Sequence, residues 1–275
     1  MSSTPRTTGT LLDWEARTLP APIPVPVRVY RPAPAAHNPA SGWLVWAHGG
    51  SWQYGSATQW HTVTSTLATL SGWTVVSVDY RLAPRHRHPT ALEDVLTALS
   101  WTRRRAGTSP VAVGGDSAGG TLAACAALAE RDRGRRLAAQ LLAYPPLDPD
   151  CSSATYRRDL TAFPQAAHLR RAWRTWRGTT STAQAVDGTT LYSTPFDAPT
   201  LVGLAPAVLA VGLTDPVRAE VNEYALRLRA ADVPVRLLQP PAAGHGDVLQ
   251  PGSRLLQQLA DALHHLSTAG EGNPL

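Results

Sequence analysis

The chain has 275 residues, with 25 Lys plus Arg against 20 Asp plus Glu and a formal net charge of +5, a size that suits one large domain or two small ones. All 25 of those cations are arginine, apolar residues make up 43%, and 24 Pro and 21 Gly punctuate the chain, a composition that excludes disordered and fibrous classes. No apolar run approaches the roughly 20 residues that cross a bilayer, and residues 1–10 are polar with nothing resembling a signal peptide, so a soluble, cytoplasmic protein with no membrane partner is expected.

Residues 25–31 alternate apolar with other side chains at period two, which predicts a proline-tolerant edge strand. From Trp43 onward, short apolar runs bounded by Gly, Pro or Asp alternate with segments of helical spacing. The predicted strands are 43–47, 73–78, 111–114, 138–142, 207–211 and 235–238. The predicted helices are 59–70, 91–103, 118–132, 219–231 and 253–266. This cycling points to an α/β fold built on a mostly parallel, doubly wound sheet with helices on both faces. Residues 151–199 break the rhythm and read as an insertion over the carboxyl edge of the sheet, where open α/β folds place ligands; the whole of 1–275 is otherwise expected to be one domain.

Cys125 and Cys151 have neither disulfide nor zinc spacing, and Cys125, in an Ala/Leu run, reads as a buried thiol. The arginines cluster at 103–105, 131–136, 157/158 and 170–177. The first two groups follow predicted helices, where cations complement the negative end of the dipole. No aromatic–basic motif accompanies them, so no nucleic-acid partner is expected.

The sharpest local signal is Gly114-Gly115-Asp116-Ser117-Ala118-Gly119-Gly120, lying between a strand and an Ala/Leu-rich helix. A serine on such a tight turn needs small residues two before and two after it, and Gly115 and Gly119 supply them. Of nine histidines, His245 follows a predicted strand in a glycine-flanked loop and can reach over that turn as general base; His168 lies inside the insertion beside arginines. Asp215, closing the preceding strand, can orient the imidazole, a role compatible with its capping the helix that follows. The loop His48-Gly49-Gly50-Ser51-Trp52 offers backbone N–H groups for an oxyanion. Gly49, Gly50, Ser51 and Ala118 are the candidate residues, and His48 reads as a structural hydrogen-bonder. Trp52 is either an acyl-pocket wall or a core aromatic. In the insertion, Leu169, Trp173 and Trp176 share one helical face and Arg170, Arg174 and Arg177 another. Trp52, Trp173 and Trp176 are the candidate substrate contacts, and the arginines are either a solvated face or a lure for an anionic substrate or carrier.

Taken in order, His48-Gly49-Gly50, the segment from Asp79 to Pro84, Gly115-Asp116-Ser117-Ala118-Gly119-Gly120, Asp215-Pro216 and Gly244-His245-Gly246 resemble the hormone-sensitive lipase family of α/β-hydrolases, also called family IV bacterial esterases. The resemblance implies an α/β-hydrolase fold with a small cap, a Ser117–His245–Asp215 triad, and hydrolysis of carboxylic esters through an acyl-enzyme without metal or organic cofactor. Three departures stand out. Ser51 replaces the third glycine of the family's H-G-G-G, few residues precede the first predicted strand to build an N-terminal part of a cap, and Asp247 stands where an aromatic residue is usual. A carboxylesterase for small, water-soluble acyl esters is the leading expectation. An amide or N-acetyl deacylase is the runner-up, and a non-catalytic binding module on the same scaffold the alternative from another class. The oligomeric state stays open, a homodimer included.

Overall fold

A computed structural model describes residues 12–20, 22–32, 42–159 and 161–268; residues 1–10, read above as a polar N-terminus, lie outside them. The described residues form ten strands, β1 (Leu12–Leu19), β2 (Val25–Pro32), β3 (Trp43–Ala47), β4 (Thr74–Val78), β5 (Val111–Asp116), β6 (Gln140–Ala143), β7 (Thr182–Gln184), β8 (Thr190–Tyr192), β9 (Ala207–Ala210) and β10 (Val235–Leu238), and seven α-helices. The helices are α1 (His61–Ser71), α2 (Thr90–Ala106), α3 (Ala118–Asp132), α4 (Thr155–Arg158), α5 (Ala166–Arg177), α6 (Arg218–Ala230) and α7 (Arg254–Thr268).

Eight strands form the central sheet in the order β1-β2-β4-β3-β5-β6-β9-β10. From β4 to β10 every pairing is parallel, while β1 and β2 are antiparallel additions. β4, β5, β6 and β9 are buried along their whole length, and β3 at all but its first residue. That is why they read as continuous Val, Leu and Ala runs with no alternation: a parallel sheet covered on both faces has no wet side. α1 packs against α7 and α2 against α3. Every predicted helix is present, with ends displaced by three residues or fewer.

Two expectations are corrected. The strand at 25–32 is not an edge, because β1 covers it in continuous register from Leu12↔Pro32 to Leu19↔Val25. Pro26 is tolerated there for a geometric reason: its carbonyl, and so its missing N–H, faces Asp79, one residue beyond the end of β4. β1 itself gave no periodic signal because most of its side chains are exposed. It is held by the β2 ladder, by Glu15 bridging Arg17 and Arg31, and by Arg28 lying 4.6 Å over the Trp14 ring.

The second correction concerns residues 151–199, which do not all lie over the carboxyl edge of the sheet. β8 of the β7–β8 hairpin packs against α3, and Asp187 near the hairpin turn pairs with Arg133 at 2.8 Å, just past the far end of that helix. Ser117 caps the near end, and fifteen helical residues separate the two by about 22 Å. The arginine clusters at 103–105 and 131–136 also do more than end helices. Glu130, with no exposed side-chain surface, is bracketed by Arg103 at 2.9 Å, Arg135 at 3.5 Å and Arg133 at 3.6 Å, which locks the ends of α2 and α3 together.

The segment leaving β6 is pinned by a second buried acid. Glu220 on α6 accepts from the amides of Leu147 and Asp148 (2.8 Å for the latter) and from the Tyr156 hydroxyl on α4. Cys151, buried like Cys125, lies in the same region. No helix among the described residues is long and apolar enough to cross a membrane.

Burial raises the Glu220 carboxyl from its ordinary 4.5 to about 7, against the pull of its three donors. The unfolded chain therefore ionises this group first, and its contribution to stability falls as pH rises from about 4.5 to 7. Glu220→Gln removes that titration. Urea unfolding at pH 4.5 and pH 7.5 is expected to show wild type losing stability relative to the variant, by on the order of 3 kcal/mol. A pH-independent difference would contradict the assignment.

Candidate active site

Ser117 sits between β5 and α3 at φ 48° and ψ −123°, a backbone conformation that disfavours side chains. Close packing compels it. A Cβ on Gly119 would lie 2.0 Å from the Ala47 carbonyl oxygen, and one on Gly115 would lie 2.4 Å from the Gly119 carbonyl. The turn therefore exists only because both neighbours are glycine, and it presents a half-buried Ser117 hydroxyl at the N-terminus of α3.

The Ser117 hydroxyl donates to His245 Nε2 at 2.8 Å, and His245 Nδ1 donates to Asp215, 3.0 Å from Oδ2 and 3.1 Å from Oδ1. Asp215 Oδ1 also accepts from the Val217 amide at 3.0 Å, so the carboxylate caps the next turn and faces the imidazole at once. The loops carrying the two residues are fastened together. Thr214 Oγ1 donates to the Ala243 carbonyl at 3.0 Å, and that carbonyl lies where a Cβ on Gly212 would be, 1.7 Å away. The Tyr144 ring lies 4.7 Å from the imidazole, and the exposed Phe163 stands edge-on to it at 5.8 Å. Neither ring has a sequence motif of its own. Asp247 accepts from Ser253 Oγ at 2.6 Å and so anchors the start of α7.

Asp116, one residue before the serine, is the group that motif reading passes over. Its Oδ1 accepts from Trp60 Nε1 at 2.8 Å, from the Gly49 amide at 3.2 Å and from Trp46 Nε1 at 3.3 Å. Complete burial pushes its carboxyl up to about 7, although all three donors and His245 oppose the shift. This carboxylate corrects one expectation: the Gly49 N–H is already engaged and is not free for a ligand. Among the described residues the Gly50 and Ser51 amides donate to no backbone carbonyl, and the Ala118 amide opens α3 without an intrahelical partner. The loop that carries Gly50 and Ser51 starts close to the first turn of α3, since a Cβ on Gly119 would lie 2.4 Å from the His48 carbonyl oxygen.

His48 is structural, as expected. Its ring stacks on Tyr80 at 4.2 Å, Nδ1 donates to the Gly49 carbonyl at 2.7 Å, and desolvation lowers it to about 4, so it stays neutral at physiological pH.

The three tryptophans need a different assignment. Trp52 stacks on Trp176 with centroids 4.4 Å apart and an interplanar angle of 5°, and the Trp173 ring lies 4.4 Å from it, tilted by 50°. All three are at most 1% exposed. Fully covered rings have no face for a substrate, so they join α5 to the 48–55 loop and do not line the open site. Of the α5 arginines, Arg177 pairs with Asp197 at 3.2 Å and Arg170 reaches the Asp150 carbonyl, whereas Arg171 and Arg174 are exposed. No trio of His, Cys, Asp or Glu among the described residues is arranged to hold a metal ion.

The family described as the α/β hydrolase fold matches residues 44–249. The chain is 35% identical over 248 residues to the carboxylic ester hydrolase LipN of Mycobacterium tuberculosis, a match covering 86% of this chain and 64% of LipN. It is 36% identical over 232 residues to the carboxylesterase NlhH of the same organism, covering 82% and 71%. A solved esterase from the archaeon Pyrobaculum calidifontis superposes with a TM-score of 0.83 at 31% identity, covering 94% of this chain and 87% of that one. With the fold, the serine turn and these relatives in agreement, the chain belongs to the α/β hydrolases, in the branch typified by hormone-sensitive lipase.

Proposed function

We propose that the protein is a serine carboxylesterase for small acyl esters, with Ser117 as nucleophile, His245 as general base and Asp215 as its orienting carboxylate. The observation that carries this reading is the unbroken hydrogen-bond relay from the strained Ser117 hydroxyl through His245 to buried Asp215. His245 Nε2 takes the hydroxyl proton as Oγ attacks the ester carbonyl, and Asp215 holds the Nδ1–H tautomer and stabilises the imidazolium that forms. The tetrahedral oxyanion is received by the Gly50, Ser51 and Ala118 amides, aided by the positive end of α3. Collapse returns the proton to the leaving alcohol and leaves an acyl-Ser117, which water hydrolyses by the same route in reverse roles. Residues 151–177, with α4 and α5, form the part of the cap near this centre. A half-buried serine beneath so short a cover suits small, water-soluble substrates.

Purified protein is expected to release p-nitrophenol from acetate and butyrate esters and to be labelled at Ser117 by a fluorophosphonate. Neither signal appearing would sink the esterase reading. Ser117→Ala should lower kcat by about 10⁴-fold or more with an unchanged circular dichroism spectrum, because members of such a relay act as a unit. Asp215→Asn should also stay folded and lose about a thousandfold or more in kcat; near wild-type turnover would place the orienting carboxylate elsewhere. A panel pairing each acetate ester with its anilide tests the leaving group, and comparable rates on both would move the assignment to an amide deacylase.

A further inference from the structure

We propose that α5 is a positioning clamp for the oxyanion loop, with His168 acting through Ser51 and the paired tryptophans through Trp52, so that the cap governs the chemical step as well as access. The proposal rests on the esterase reading for what the loop does, but not for whether the clamp exists.

Two consecutive residues of the loop, Ser51 and Trp52, have φ of 54° and 59°. A serine and a tryptophan both disfavour this region, and such a conformation persists only where the surroundings over-determine it. Gly50, just before them, needs its own φ of 114°, since a Cβ there would lie 2.2 Å from the Tyr54 carbonyl oxygen. One helix supplies restraints to both strained residues. Ser51 Oγ shares a 3.2 Å hydrogen bond with His168 Nε2, 117 positions away in the sequence and in the first turn of α5. One and two turns further along, Trp173 and Trp176 enclose the Trp52 ring. The Trp52 carbonyl is fixed from the other side by the Ala83 amide at 2.9 Å.

A glycine at position 51 would adopt its φ unaided. The serine adopts it only at a cost, and its hydroxyl is the group that reaches the cap. His168 is therefore a positioning residue: it touches neither the serine nucleophile nor the reacting carbonyl, and it sets the direction of the Ser51 N–H. Small misalignment of a preorganised donor lowers the rate of the chemical step while leaving ground-state binding nearly unchanged.

The test compares His168→Ala, His168→Gln, Ser51→Gly and the double variant His168→Ala with Ser51→Gly. Each is assayed for kcat and KM on p-nitrophenyl acetate and for amide hydrogen exchange in the 50–55 segment. His168→Ala is expected to lower kcat about fivefold with KM within twofold of wild type and to speed exchange across the loop. His168→Gln, which keeps a polar group within reach of Ser51, should recover most of both signals. In the Ser51→Gly background His168→Ala should change neither, because the hydroxyl it served is gone. Unchanged loop exchange on His168→Ala, a change in KM alone, or an equal effect in the Ser51→Gly background would each overturn the clamp. Exchange that responds as expected in a protein that hydrolyses no ester would refute the esterase reading and leave the clamp standing.

Discussion

The carboxylate of Asp116 organises much of the active-site end of the molecule. It lies in the strand that delivers the nucleophile, yet its three donors come from β3, from the residue that precedes α1 and from the glycine loop. A buried acid is expensive unless its oxygens are satisfied, and here the partners are indole and backbone N–H groups that cannot accept its proton. The result is a polar node in which the loop after β3 is registered against the turn after β5. The proposed oxyanion donors and the nucleophile are positioned by one shared constraint, and the glycines at 115 and 119 allow the backbones to come close enough for it to operate.

The same economy recurs on the other side of the serine. Asp215 and His245 come from loops after different strands, and the contact of Gly212 with the Ala243 carbonyl brings those loops together before any side chain meets. Catalytic geometry in this fold is thus built from backbone proximity at strand ends, with the side-chain relay laid over it. Glu220 plays the corresponding part for the covering segment, tying the chain that leaves β6 to both α4 and α6.

The covering segment divides into two physical units. α5 is bound to the glycine loop through the tryptophan stack and the Ser51–His168 bond, while β7 and β8 follow α3 away from the centre. A composition rich in tryptophan and arginine suggests a binding surface. In the folded chain the tryptophans are interior, and two of the α5 arginines are already engaged by Asp197 and the Asp150 carbonyl.

What the amino-acid sequence determined by itself was the parallel core and the identity of Ser117, Asp215 and His245 as residues at strand ends. Continuous apolar runs, glycine-flanked polar residues and their order along the chain are local properties, and the core elements they predicted lie within three residues of those observed. The tertiary structure decided what depends on contacts distant in sequence. β1 stayed illegible because a mostly exposed strand carries no hydrophobic period and is defined only by its partner. Asp116 looked like a spacer beside a motif serine until folding brought Trp46, Trp60 and Gly49 to it. Gly49 seemed a free donor, Trp52 seemed equally suited to a pocket or a core, and His168 seemed one of many polar residues in an insertion. Each was settled by which side chain arrived from 67, 124 and 117 positions away, and no local pattern encodes such an encounter.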